Sequence, residues 1–229
     1  MNQENSRKGP MTWVKAYNEA ILDTDREKAI QVVHAAVEAG ISPEDVVFEI
    51  VVPAIEWMMQ SVSGCVGVSL AQHFMAAQIA SEVVDEMVPR FKTAPTIVGR
   101  VVIGTARGDF HGLGKRIVSG CLKARMIEVS DLGLNVAPER FVEEALARDA
   151  QVIAISAMMV HTARGENGCL KVRQLLKERG LEGCIRIAVG GAPFRFDPGL
   201  YKVVGADAWA DNAITASTVI ADLIREVCP

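Results

Sequence analysis

The chain has 229 residues, half of them hydrophobic, with 24 Lys and Arg against 28 Asp and Glu and a formal charge of -4. That length suits one large domain or two small ones with buried cores, and the scattered basic residues leave no face for nucleic acid. No apolar run approaches the roughly 20 residues of a membrane span, and "MNQENSRKGP" lacks a signal peptide's apolar core, so a cytoplasmic protein with no membrane partner is expected.

From Met11 to about Arg90 the apolar residues recur at helical spacing, and four helices are predicted. The first covers roughly 11 to 22. The second starts near Thr24, read as an N-cap with Glu27 three positions on, and stops near Gly40. The third follows "SPED" at 42 to 45 and runs through "VVFEIVVPAIEWMMQSV", where Pro53 should kink it. The fourth begins after Ser69 and continues through "LAQHFMAAQIASEVVDEMVPRF". Four short helices with brief connections make a small bundle, assigned to residues 1–92.

After "KTAPTIVGR" the pattern changes to short β-branched runs alternating with amphipathic helices, which marks a second domain over 98–229. Strands are predicted at 100 to 106, 126 to 133, 150 to 159, 186 to 192 and 206 to 213. The helices between them fall near 112 to 124, 138 to 148, 165 to 179, 197 to 204 and 213 to 227. Near-continuous apolar strands separated by helices indicate a five-stranded parallel sheet covered on both faces, an α/β domain of flavodoxin-like or Rossmann-like type. Such sheets bind ligands beyond the carboxyl ends of their strands.

One loop at such an end stands out. "GDFHGLGKRIVSG", residues 108 to 120, follows the first strand and holds Asp109 and His111 among Gly108, Gly112 and Gly114. An isolated D-x-H is most often a turn aspartate beside an exposed histidine, but three glycines permit close approach to a bulky ligand. The glycines do not match G-x-G-x-x-G, and Lys115 is followed by Arg116, so neither nucleotide fingerprint is met. A metal makes more sense of the pair, because a ligating histidine usually donates its other ring N–H to a carboxylate. His34, His73 and His161 supply no spaced cluster, and the five cysteines form no C-x-x-C pair. A lone protein ligand implies a metal already held by a macrocycle.

Asp109-x-His111-x-x-Gly114, then Ser156-Ala-Met158, then Gly190-Gly191 resembles the D-x-H-x-x-G, S-x-L, G-G signature of cobalamin-binding proteins. The whole chain is similar to the small corrinoid proteins of anaerobic methyltransferase systems, in which a helical bundle precedes a B12-binding domain. "DLGLNV" at 131 to 136, "GGAP" at 190 to 193 and "GADAWADNA" at 205 to 213 resemble the family's later motifs. Met158 stands where leucine is usual, the segment between Met158 and Gly190 is longer than typical, and "SLAQHFMAAQ" departs from the bundle pattern of related methyl carriers.

The resemblance implies cobalamin or a related corrinoid bound base-off, with His111 as the lower axial cobalt ligand, Asp109 on its far nitrogen and the Thr162 hydroxyl completing a relay. It implies a nucleotide tail descending past Ser156, Gly190 and Gly191. Gly108, Phe110, Gly112, Gly114, Met158, Ala192, Gly205, Asp207 and Ala210 are further expected cofactor contacts, and Trp57, Gln72, His73 and Phe74 are candidates for the upper corrin face. The implied function is to shuttle a methyl group, as methyl-Co(III) and Co(I), between a substrate:corrinoid methyltransferase and a corrinoid:acceptor methyltransferase serving tetrahydrofolate or a thiol. A reductive activase would be a third partner, and the chain is expected to be a carrier subunit, not a catalyst by itself. A B12-dependent light sensor is the first alternative, but Gly67-Val68 stand where such sensors carry Glu-His. A mutase subunit would need a separate substrate barrel, and storage or delivery of cobalamin is a further alternative.

Overall fold

The computed structural model describes residues 10–62, 69–92 and 97–227. It divides into two compact units, Met1–Thr96 with Lys123–Arg125, and Ile97–Leu122 with Met126–Pro229.

The first unit is helical: α1 (Pro10–Leu22), α2 (Arg26–Glu38), α3 (Pro43–Asp45), a π-helical stretch Val46–Val51, α4 (Val52–Val62), α5 (Leu70–Met87) and a closing 3-10 turn Val88–Arg90. Ala29, Val33 and Ala36 line the buried stripe of α2, and Ala76, Ile79, Ala80, Val83 and Met87 that of α5. These small residues repeat at three- and four-residue intervals, which puts them on one helical face. Asp25, not Thr24, caps α2: its carboxylate accepts from the Lys28 N–H at 3.0 Å. Thr24 has φ +57°, a turn geometry that carries it past the cap position. At Pro53, where a kink is expected, the helix opens into a wider turn. Pro53 lacks an N–H and its ring crowds the carbonyl four residues back, and the preceding turn opens so that the Val52 N–H bonds to the Val47 carbonyl, five residues away. At Ser69 a full capping box forms, with Ser69 Oγ accepting from Gln72 N at 3.2 Å and Gln72 Oε1 from Ser69 N at 2.8 Å.

The second unit is a five-stranded, wholly parallel sheet of β1 (Gly99–Thr105), β2 (Ile127–Asp131), β3 (Val152–Ser156), β4 (Arg186–Gly190) and β5 (Ala208–Ala210), in the order β2-β1-β3-β4-β5. Its helices are α6 (Leu113–Lys123), α7 (Pro138–Ala147), α8 (Val160–Arg164), α9 (Cys169–Glu178), α10 (Ala192–Phe196), α11 (Leu200–Val203) and α12 (Ala213–Val227). Side chains alternate between the faces of each strand. One face packs Val102, Ile153, Ile155, Ile187 and Val189 against α7, α9 and α10 through Phe141, Leu176 and Phe194. The opposite face packs Val101, Ile103, Val152, Ala154 and Ala188 against α6 and α12 through Leu122, Ile220 and Ile224. Cys121 and Cys169 are buried and unbridged, and burial pushes the Cys169 thiol up to about 12, as befits an inert packing residue.

The strands are shorter than their apolar runs. Beyond Ser156 the run "AMMV" leaves the sheet, exposing Met158, Met159 and Val160, and turns into the unexpected helix α8. Likewise β4 ends at Gly190 and gives way to α10. Among the described residues no helix is long and apolar enough to cross a membrane.

Candidate functional site

In the order 2-1-3-4-5 the chain changes direction between β1 and β3, so the loops leaving these two strands diverge and open a crevice at their carboxyl ends. Asp109, on the β1 loop, sits at its floor and is only 1% exposed. Its Oδ1 accepts from the backbone N–H of His111 at 2.9 Å and lies 3.0 Å from His111 Nδ1. Its Oδ2 accepts from the Met158 N–H at 2.7 Å and lies 2.9 Å from the Thr162 hydroxyl, which can instead donate to the Met159 carbonyl at 2.8 Å. One buried carboxylate therefore joins the β1 loop to the β3 loop and to α8.

The hydrogen bonds also set its charge. Burial alone would push the Asp109 carboxyl up, but the N–H groups of His111 and Met158, the His111 ring and the Thr162 hydroxyl outweigh it and hold the carboxyl below the usual aspartate range. An ionised Asp109 can only accept, so it places the imidazole proton on His111 Nδ1. The Nε2 lone pair is then left free on a side chain that is 55% exposed.

A second set of contacts fixes the backbone of the same loop. The Thr105 hydroxyl donates to the Asp109 carbonyl at 2.6 Å and accepts from Asn135 N at 2.8 Å, and Asn135 Oδ1 accepts from Gly108 N at 2.8 Å. Gly108 has φ +82°, which a residue with a Cβ reaches only under strain. Sequence reasoning missed Thr105 and Asn135. The signal was present in "DLGLNV", whose Asp131, Gly133 and Asn135 are turn-forming types between a strand and a helix.

Strand register carries a row of small residues across the crevice: Thr105 lies beside Ser156, Ser156 beside Gly190, and Gly190 beside Ala210. A Cβ built on Gly190 would come no nearer than 3.6 Å to its nearest neighbour, the Ala210 carbonyl, and one on Gly114 would lie 4.0 Å from Ser156 Oγ. The row and the start of α6 thus border a slot that larger side chains would fill. Gly191 is different: at φ +120° its Cβ would fall 1.9 Å from the Ala157 carbonyl oxygen, so glycine there permits the two loops to touch. Around His111 the rim is apolar and uncovered, with Phe110, Leu113, Met158, Met159 and Val160 each about half exposed or more. A contiguous apolar rim of this kind marks a binding surface. Among the described residues no group of three or more His, Cys, Asp and Glu side chains could hold a bare ion. One outward imidazole nitrogen, an apolar rim and a narrow slot fit a metal carried by a large, flat organic ring with an appended tail.

The structure brings together Gly108, Asp109, Phe110, His111, Gly112, Gly114, Ser156, Met158, Thr162, Gly190, Gly191, Ala192 and Ala210 at this end of the sheet. Gly205 and Asp207, also expected as cofactor contacts, lie further back along the sheet and bond to Arg173. Asp207 is level with Ile187, three residues and about 10 Å back along the strand from Ala210. Its carboxylate accepts from Ile187 N at 2.6 Å and from Arg173 at 2.5 Å, while the Gly205 carbonyl accepts from Arg173 Nε at 2.6 Å, so both brace α9. In the helical unit, both ends of the Gln72 amide are engaged, Oε1 in the α5 cap and Nε2 donating to the Leu22 carbonyl at 2.9 Å, which makes it a tie between α5 and α1. Trp57 is 39% exposed on α4. The side chains of His73 and Phe74 lie outside the described residues.

Residues 99–217 match the family described as B12 binding domain. Trimethylamine corrinoid protein 2 of Methanosarcina acetivorans is 30% identical over 211 residues, covering 90% of this chain and 94% of the relative. Dimethylamine corrinoid protein 3 of the same organism is 31% identical over 214 residues, with the same coverage. Among solved structures, a cobalamin-binding protein from Desulfitobacterium hafniense superposes with a TM-score of 0.69 at 20% identity, over 92% of this chain and 98% of that one. The methanol:cobalamin methyltransferase complex from Methanosarcina barkeri superposes with a TM-score of 0.73 at 22% identity, over 97% and 83%. The buried aspartate beneath an outward histidine, the small-residue slot and these relatives agree, and the chain belongs to the B12-binding-domain family of corrinoid proteins, with a corrinoid as its cofactor.

Proposed function

We propose that this protein is the methyl-carrying subunit of a corrinoid-dependent methyltransferase system, and that it holds its corrinoid base-off with His111 as the lower axial ligand. The observation that carries this reading is the free Nε2 of an exposed His111 whose Nδ1 is tied to the buried Asp109 at the crevice of the sheet. When bound, the corrinoid supplies a cobalt centre that accepts a methyl group from one partner and yields it to another.

The chain's own residues do the rest. Asp109 keeps the Nδ1 proton in place and raises the donor strength of Nε2. Thr162 steadies Oδ2 from the β3 side. Ser156, Gly190 and Ala210 leave room for the nucleotide tail that His111 displaces. Residues 98–229 form the cofactor-holding part. A substrate:corrinoid methyltransferase is the first partner, a reading supported by relatives named for trimethylamine and dimethylamine and by a structural neighbour in a methanol:cobalamin methyltransferase complex; a corrinoid:acceptor methyltransferase and a reductive activase complete the proposed set.

Electron paramagnetic resonance of the protein loaded with cobalamin in its paramagnetic cobalt(II) form tests the ligand. With uniformly 15N-labelled protein and unlabelled cofactor, His111 coordination splits the signal as a doublet, and His111→Ala abolishes that pattern. A triplet in the labelled wild type, from the cofactor's own base, overturns the reading. Adding candidate methyltransferases and following methyl turnover tests the carrier role.

A further inference from the structure

The β1 loop that presents His111 holds Gly108 in the left-handed region, with Arg107, Phe110 and Leu113 around it exposed. Besides the bond from Asp109 N to the Ala106 carbonyl and the contacts of the Asp109 carboxylate, its backbone is restrained from the loop after β2. Asn135 Oδ1 accepts from Gly108 N at 2.8 Å, Asn135 N approaches both Thr105 Oγ1 at 2.8 Å and the Asp109 carbonyl at 3.0 Å, and the Thr105 hydroxyl donates to that same carbonyl. The β2 loop is itself pinned. Asp131 accepts from Gly133 N at 2.9 Å and pairs with Lys115, a 4%-exposed lysine on α6, the helix that begins two residues after His111. The contacts close a ring from His111 through α6, Lys115, Asp131 and Asn135 back to Gly108.

Asn135 suits this position for two separable reasons. Its φ of +52° is tolerated by asparagine, aspartate and glycine far better than by other residues. Its side-chain oxygen reaches Gly108. The side chain is exposed, so packing in the core does not account for it. We infer that Asn135 is a positioning residue for the cofactor's axial histidine, its side-chain oxygen locking the Gly108–Asp109 backbone from which His111 is held. This rests on the reading of His111 as the cobalt ligand.

Two substitutions separate the roles. Asn135→Gly keeps the left-handed backbone and removes the acceptor; Asn135→Asp keeps both. In the apoprotein, hydrogen exchange at the Gly108 amide is expected to speed up roughly two- to tenfold in Asn135→Gly, the range for one lost hydrogen bond, and to stay near wild type in Asn135→Asp. In parallel, the affinity for cobalamin read from the absorbance change on binding should fall by a similar factor in Asn135→Gly and recover in Asn135→Asp, with the thermal midpoint of the Asn135→Gly apoprotein lowered by no more than about five degrees. Unchanged exchange at Gly108 together with wild-type affinity in Asn135→Gly overturns the inference. So does an equal loss in both variants. The 15N resonance experiment on the wild type judges the His111 assignment separately, so a failure of one is not mistaken for a failure of the other.

Discussion

At the scale of single residues, the decisive group is Asp109, a carboxylate that is buried and yet held ionised. Four donors lie within reach of its two oxygens, and their combined effect is to lower its pKa against the opposing push of burial. A group with a depressed folded-state pKa contributes stability above its unfolded value, near 3.9 for aspartate, and loses it as pH falls through the folded value. Thr162→Val removes one donor to the charge and should cost about 1.5–3 kcal/mol at pH 7, the range for a hydrogen bond to an ionised group. The deficit should shrink only as pH falls through the folded-state value of Asp109, below the ordinary aspartate range. Urea unfolding of wild type and variant over a series of falling pH values measures it, and a deficit that stays constant through the acid range would show that Asp109 is not the partner. The D-x-H spacing together with its three flanking glycines pointed to the Asp109–His111 pair. The Asp109–Thr162 contact spans 53 positions in the chain, and the sequence suggested it only through family resemblance. Met158 N was not legible, because backbone donors carry no residue signature, and Asn135 stood out only as one turn-forming residue of "DLGLNV".

At the scale of elements, the alternation of strands and helices was readable, and the element ends were not. Apolar composition marks a strand, but a parallel strand stops where its backbone finds other partners: Ala157 N still bonds to the Gly190 carbonyl of β4 at 2.9 Å, and Met158 N turns to the Asp109 carboxylate. The methionines beyond Ser156 are apolar because they border the site, not because they pair in the sheet. The junction of β4 and α10 is the tightest such end. Gly191 combines φ +120°, ψ 175° with a neighbouring carbonyl where a Cβ would sit, a conformation essentially restricted to glycine. Gly191→Ala should therefore destabilise by about 3 kcal/mol or more. A denaturant midpoint within error of wild type would mean that the loops separate without cost. In the helical unit the same lesson appears at Pro53, where composition announced a break and the backbone answered with a five-residue hydrogen-bonded turn.

At the scale of the whole molecule, each unit has its own buried apolar residues, and the ligand site lies on one of them. A corrinoid that binds only the folded form stabilises it by mass action, about 2.7 kcal/mol at a hundredfold excess over the dissociation constant, which corresponds to a rise in Tm of roughly 5–10 °C. Differential scanning fluorimetry with and without hydroxocobalamin reads this directly, and an unmoved midpoint at saturating cofactor would contradict it. The sequence by itself determined the α/β class and the change from helical to strand-and-helix patterning, because periodicity is a local property, and it reached the cofactor through the resemblance of three separated segments, Asp109 to Gly114, Ser156 to Met158 and Gly190-Gly191. Only the tertiary structure decided how these segments meet and which further residues join them. Strand order sets Thr105, Ser156, Gly190 and Ala210 in one row, carries Asn135 to Gly108 and leaves Gly205 and Asp207 bracing α9. The physical reason is register: a parallel sheet aligns residues by their height along the strands, a coordinate that sequence spacing does not contain.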